Sequence, residues 1–195
     1  LWLAEMIYHV SDFLTALFLV FLVLGMMRLV FMYVLTFREK RAENRRNYAP
    51  IDAATAPAVS IIVPGYNEEV NIVRTITTLK QQDYPNLHIY FVDDGSKDHT
   101  LERVHEAFDT DDKVTVLAKK NGGKASALNY GIAACRSEYV VCIDADTQLK
   151  QDAVSRLMKH FIADKDKRIG AVAGNVKVGN QRNMLTYWQA IEYTS

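Results

Sequence analysis

The sequence predicts an α/β domain on a mainly parallel sheet, preceded by a transmembrane helix. Three observations predict it. An apolar run, "FLTALFLVFLVLGMMRLVFMYVL", fills Phe13 to Leu35, and a helix crossing a bilayer needs about 20 such residues. Beyond it, β-rich runs alternate with helical patterns, the signature of βαβ units and a parallel sheet covered on both faces. Polar clusters recur where the β-rich runs end, as in "PGYNEE", "DDGS" and "DADT", and ligands of such sheets bind outside the carboxyl ends of the strands.

The bulk numbers fit this division. The chain has 195 residues, 49% of them hydrophobic, with no net charge, which suits one globular domain plus an additional segment and excludes collagen-like or disordered composition. Zero net charge removes the electrostatic case for a nucleic-acid partner. The charges are unevenly placed, because Glu5, Asp12 and Arg28 are the only Asp, Glu, Lys or Arg residues up to Thr36.

The first element, residues 1–36, is therefore a membrane anchor in contact with the lipid bilayer. A cleaved signal peptide is the alternative, but Leu1 to Asp12 has no Lys or Arg and no small-residue cleavage site follows the span. Arg28 inside the span either faces another helix or a polar path, or snorkels to the interface of a shorter span. Next comes "FREKRAENRR", where Arg38, Lys40, Arg41, Arg45 and Arg46 outnumber Glu39 and Glu43. A Lys/Arg excess beside a span is retained in the cytoplasm, so a protein of the cell membrane with a cytoplasmic domain is expected. Cys135 and Cys142 lack metal-ligand spacing and read as buried thiols in a reducing compartment. The start at Leu1 rather than Met leaves room for further transmembrane segments or subunits.

Residues 37–58 form a basic juxtamembrane segment and a linker, because "YAPIDAATAPA" is rich in Ala and Pro without apolar periodicity. The domain proper is expected over 59–195. Its elements run in order: a strand in "VSIIVPGYN", a helix near Glu69 to Gln81, a strand in "HIYFVDDG", a helix from about Thr100, and a strand in "VTVLAK". A helix near Lys124 to Cys135, a strand in "YVVCIDAD", a helix near Asp152 to Ala163, a strand in "IGAVAGNVKV" and a last helical stretch complete the order. In that stretch Met184, Tyr187, Trp188 and Ile191 stand at helical spacing, which reads first as core and second as a slot under the membrane interface.

Known phosphate sites can be tested against the strand ends. A dinucleotide fold needs G-x-G-x-x-G after the first strand, and "PGYNEE" has one glycine and two acids. A P-loop needs glycine at position 118 and Ser or Thr at 125, and both positions hold Ala. A receiver domain pairs aspartates with a lysine, but this chain has a second acidic pair after the fourth strand. There, Asp144 and Asp146 are two residues apart and share one side of an extended segment. Mg²⁺ takes one or two carboxylates while substrate phosphates and water complete its shell. A lone D-x-D is common by chance, and a helix cap from Asp146 or Thr147 is its ordinary reading.

The combination is more specific. "SIIVPGYNEE", "VDDGSKDHT", "NGGKASALNYG" and "CIDADTQL", in that order, resemble the donor-binding half of family 2 glycosyltransferases of the GT-A fold, a Rossmann-like nucleotide-sugar domain. The continuation "AVAGNVKVGNQRNMLTYWQAIEY" and the preceding span resemble the processive membrane synthases of poly-N-acetylglucosamine, hyaluronan and chitin. The resemblance covers roughly Pro57 to Ser195.

It implies roles residue by residue. Pro64, Tyr66 and Glu68 frame a uridine pocket, and Asp94 holds the base; Asp93 and Asp94 capping the turn at Gly95 is the alternative. Lys124 approaches the donor diphosphate beside Gly122 and Gly123, although alone it reads as a solvated loop lysine. Asp144 lies beside the ribose and donor, and Asp146 binds the metal, Mg²⁺ or Mn²⁺. Gly174, Asn175 and Lys177 face the donor sugar and the polysaccharide acceptor.

The resemblance also implies an inverting transfer from a UDP-sugar, UDP-N-acetylglucosamine by preference, to a growing β-linked polysaccharide. Such displacement needs a base for the acceptor hydroxyl. The family's "T/S-E-D"-like and "Q-x-x-R-W"-like motifs have no counterpart here, so the acceptor half is expected to be missing, no catalytic base is assigned, and these residues alone are expected to bind donor without turnover. Two other readings stand beside this one: a nucleotide-sugar-binding module without turnover, and a non-processive sugar transferase to a lipid phosphate.

Overall fold

A computed structural model describes residues 2–45, 48, 50–175 and 188. The chain forms two compact units, Leu1–Tyr48 and Ala49–Ser195.

The first unit is one helix, α1 (Trp2–Arg45). At 1.5 Å per residue its 44 residues extend about 66 Å, and the stretch Glu5–Ala42 is long and apolar enough to cross a membrane. Two hydroxyls within it are satisfied internally, Thr15 Oγ1 donating to Ser11 O and Thr36 Oγ1 to Met32 O, each at 2.8 Å. Such back-bonding spares a polar group from needing water in lipid. The helix runs on past Leu35 through Arg45, so the basic segment is helical up to that residue. Its Arg, Glu, Lys and Ala residues are strong helix formers, and no Pro or Gly interrupts them.

The second unit carries a parallel sheet of order β3-β2-β1-β4. Its strands are β1 (Val59–Gly65), β2 (Leu87–Asp93), β3 (Val114–Ala118) and β4 (Tyr139–Cys142), and its helices are α2 (Ile72–Lys80), α3 (Thr100–Phe108), α4 (Lys124–Ala134) and α5 (Ala153–Ala163). β1 is buried at every position, as its continuous apolar sequence demands of a central strand covered on both faces. It pairs with β2 from Val59↔Leu87 to Gly65↔Asp93 and with β4 from Val59↔Tyr139 to Ile62↔Cys142.

Period-two alternation splits the core. Val59, Ile61, Val63, Ile89 and Phe91 cluster with Ile72, Ile76 and Leu79 of α2, Val104 and Phe108 of α3, and Val154 and Met158 of α5. Ile62 and Val92 face Ala127 of α4 on the other side. Gly131 makes that second contact possible, because a Cβ there would stand 2.6 Å from Ile62 Cγ2.

One expected strand is not formed. Residues 169–175 of "IGAVAGNVKV" carry no strand, and 176–178 lie outside the described residues. Ile169 and Val172 supply β propensity, but a strand exists only by bonding to a neighbour, and no ladder among the described residues reaches them.

Candidate functional site

The order β3-β2-β1-β4 makes the chain direction of travel reverse between β1 and β4, and such a switch point opens a crevice at the carboxyl ends. Four turns meet there, after β1, β2, β3 and β4.

The first two are laced together. Asn67 sits in the left-handed region at φ 58°, a conformation that Asn tolerates better than most residues. From there its N–H donates to Ser96 Oγ at 3.0 Å, and its Oδ1 accepts from the Lys97 N–H at 2.8 Å. The Glu68 N–H donates to Thr100 Oγ1 at 2.8 Å, and Glu69 Oε2 accepts from the His99 N–H at 3.1 Å. Asp98 accepts from the Thr100 hydroxyl and N–H and from the Glu69 N–H. Burial pushes its carboxyl up, but these bonds outweigh that and hold it below the usual carboxylate range. Tyr66 and Glu68 project from a turn fixed on both sides.

The second and third turns are held by carboxylates. Asp93 Oδ2 accepts from the N–H groups of Gly95 and Ser96, each at 3.1 Å, an Asx turn. Asp94, 4% exposed, accepts from Lys119 Nζ at 2.6 Å, from the Gly122 N–H at 3.0 Å on one oxygen and 3.2 Å on the other, and from the Gly123 N–H at 2.7 Å. Burial raises its carboxyl, yet the lysine and the two amides more than offset this and hold it low. Three donors thus serve the two carboxylate oxygens, the Gly122 N–H being shared between them. Asp94 thereby ties two turns together at the wall of the cavity that it lines. Gly95 closes the same join at φ 74°, where a Cβ would meet Asn121 N at 2.8 Å.

The fourth turn presents the paired aspartates. The Ile143 N–H donates to Ile62 O at 3.1 Å, extending the β1 contact one residue past β4, and buried Thr75 Oγ1 donates to Ala145 O at 2.7 Å. Ile143 and Ala145 are buried while Asp144 and Asp146 are exposed; the chain turns here, the Thr147 N–H donating to Asp144 O at 3.0 Å, and leaves both carboxylates on the solvent side. The Asp144 carboxylate pairs with the Lys124 ammonium at the start of α4.

Seven of the expected residues line one cavity of about 280 Å³: Pro64, Tyr66, Glu68, Asp94, Lys124, Asp144 and Asp146, joined by Gly65, Ala127 and Ala145. The expected acceptor-side residues do not join them. Gly174 lines a larger groove of about 700 Å³ beside β4 and α5, which shares Asp144 with the first, Asn175 is exposed, and Lys177 lies outside the described residues. So do Met184, Tyr187 and Ile191, while Trp188 is exposed. Ser96, Asp98, Thr100, Lys119 and Thr75 escaped the sequence reading. Only Asp98 and Thr100 carried a local signal, the capping pattern ahead of α3.

Among the described residues no group of three or more His, Cys, Asp or Glu side chains could hold a metal. Asp146 is exposed at the cavity, and a hard cation can take a single carboxylate while phosphates and water complete its shell.

The family model for glycosyl transferase family 2 matches residues 60–194. Poly-beta-1,6-N-acetyl-D-glucosamine synthase of Staphylococcus epidermidis is 33% identical over 82% of this chain and 38% of its own length. The synthase of the same name from Staphylococcus aureus strain COL is 35% identical over 70% of this chain and 33% of its own. The chain thus spans well under half of these relatives. Among solved structures, the mannosyltransferase PcManGT from Pyrobaculum calidifontis, in complex with GDP-Man and Mn2+, is 29% identical with a TM-score of 0.55, over 68% of this chain and 40% of that one. Staphylococcus aureus TarS 1-349 in complex with UDP-GlcNAc shares the fold at a TM-score of 0.50 and 23% identity, over 63% of this chain and 41% of that one. With its parallel-sheet α/β domain of the GT-A type, the chain belongs to glycosyl transferase family 2.

Proposed function

We propose that this chain is the anchor and donor-binding part of a membrane-bound, inverting glycosyltransferase that uses UDP-N-acetylglucosamine to lengthen a β-linked polysaccharide. The observation that carries the reading is the convergence of Tyr66, Glu68, Lys124, Asp144 and Asp146 on one cavity at the β1–β4 switch point. The amino-sugar polymer named for the synthase relatives supports the choice of sugar.

In this reading Pro64, Tyr66 and Glu68 frame the nucleoside, with Asp94 fixing the wall behind it. Lys124, on the first turn of α4, meets the diphosphate with its ammonium and with a helix N-terminus that favours anions. Asp144 steers Lys124 and faces the ribose, and Asp146 holds Mg²⁺ or Mn²⁺. When bound, the cation neutralises charge developing on the diphosphate leaving group. Removal of the acceptor proton is assigned to none of the described residues. The basic residues that follow the apolar stretch of α1 support a cytoplasmic domain.

The test is calorimetry on the full chain in detergent with UDP, UDP-N-acetylglucosamine and GDP-mannose. UDP and its amino sugar should bind with Mg²⁺ or Mn²⁺ and lose about tenfold or more in EDTA or in Asp146→Asn, a change of about 1.4 kcal/mol or above. Full affinity in EDTA would overturn the metal assignment, and preference for GDP-mannose would overturn the donor.

A further inference from the structure

Two adjacent lysines follow β3, and only one is turned inward. Lys120 is exposed, whereas the Lys119 side chain is 15% exposed and brings its Nζ to Asp94 Oδ1 at 2.6 Å and to Lys120 O at 2.7 Å. The Lys119 N–H donates to Asp93 O at 3.0 Å, so the residue is gripped at both ends. The turn leaves space for the ammonium because position 122 has no side chain. A Cβ on Gly122 would stand 3.0 Å from Lys119 Nζ and 2.8 Å from Ser126 Oγ. Directly after this turn α4 begins, and its first residue reaches across the cavity to Asp144.

We propose that Lys119 is a positioning residue of the nucleotide site: by neutralising Asp94 it sets the Gly122–Gly123 backbone, and through it the start of α4 and the ammonium of Lys124. The inference rests on the donor-site reading above. The physical reason is the burial of Asp94. Without a cation beside it, a buried carboxylate must either take a proton or open to water, and either change loosens its bonds to the Gly122 and Gly123 N–H groups. Lys124 itself is exposed at the cavity mouth, so its placement depends on where the turn delivers it and on its ion pair with Asp144 rather than on packing around its own stem.

The experiment uses the full chain in detergent and compares wild type, Lys119→Met, Lys119→Arg and Gly122→Ala. UDP binding with Mg²⁺ is measured by calorimetry, and hydrogen exchange is followed at the Gly122 and Gly123 amides. Lys119→Met should lose about tenfold or more in UDP affinity and release both amides to faster exchange, with the amides of β1 and α2 still protected. Lys119→Arg, which restores the charge although not the compact shape of the ammonium, should recover part of the affinity and of the amide protection. Gly122→Ala displaces the ammonium without removing it and should reproduce the loss, which decides the matter if the Met variant does not fold. Wild-type affinity in Lys119→Met with both amides protected would overturn the proposal, as would equal losses in the Met and Arg variants. A wild-type chain that does not bind UDP refutes the donor reading instead, and the exchange measurement then decides the role of Lys119 alone.

Discussion

At the scale of single residues, one hydroxyl carries the turn that presents Asp144 and Asp146. Thr75 is 4% exposed on α2, and its bond to Ala145 O spans 70 residues of sequence. Thr75→Val keeps the shape and leaves that carbonyl without its partner, which costs about 1–3 kcal/mol for a buried group. A urea titration of the variant should show a midpoint lowered accordingly, together with weaker divalent-dependent UDP binding. An unchanged midpoint would mean that the carbonyl finds another donor. The two aspartates were legible in the sequence because they stand together in a short motif where an apolar run ends. Thr75 was not, because nothing near it in the sequence marks a partner so far along the chain.

At the scale of elements, α4 is pressed onto the sheet by the residue it lacks. Beyond the 2.6 Å approach to Ile62, a Cβ at position 131 would come 2.9 Å from Val92 Cγ2, both in the interior of their strands. Gly131→Ala gains up to about 1 kcal/mol of helix propensity but overpacks two immobile branched side chains, a cost of about 1–3 kcal/mol. The clash should win. A lower melting temperature than wild type, with UDP affinity also reduced because Lys124 rides on this helix, is the expected outcome. A higher one would show that α4 slides freely. The strands and helices around it were readable from periodicity, whereas the "IGAVAGNVKV" segment misled, since local propensity says nothing about whether an edge supplies hydrogen-bond partners.

At the scale of the molecule, the charges predict how the fold responds to acid. Burial lowers the pKa of His88 below its ordinary 6.5, opposed in part by Asp111. The unfolded chain therefore takes up that proton first, and stability declines as pH falls below about 6.5. Asp94, Asp98 and Asp111 all lie below their ordinary 3.8, Asp111 chiefly through its bond from the Lys80 ammonium. Their contribution is present above 3.8 and lost as pH falls from there through their folded values. Thermal unfolding across pH should show a shallow decline from about 6.5 and a steep one below 3.8. Stability that rises between pH 7 and 5 would contradict the burial of His88 as neutral imidazole.

The class of fold, the apolar helix ahead of it and the carboxylates at the strand ends are legible in the chain alone, because each is written in local periodicity or in a short ordered motif. Seven residues named from it meet in one cavity. Folding alone brings Lys119, Gly122 and Gly123 to Asp94, lets Thr75 anchor Ala145, and has Asn67 and Thr100 lace the first two turns. Those facts depend on which strands lie side by side. The order β3-β2-β1-β4 brings together turns far apart in the chain, and side chains that meet across such a crevice leave no periodic trace in the sequence.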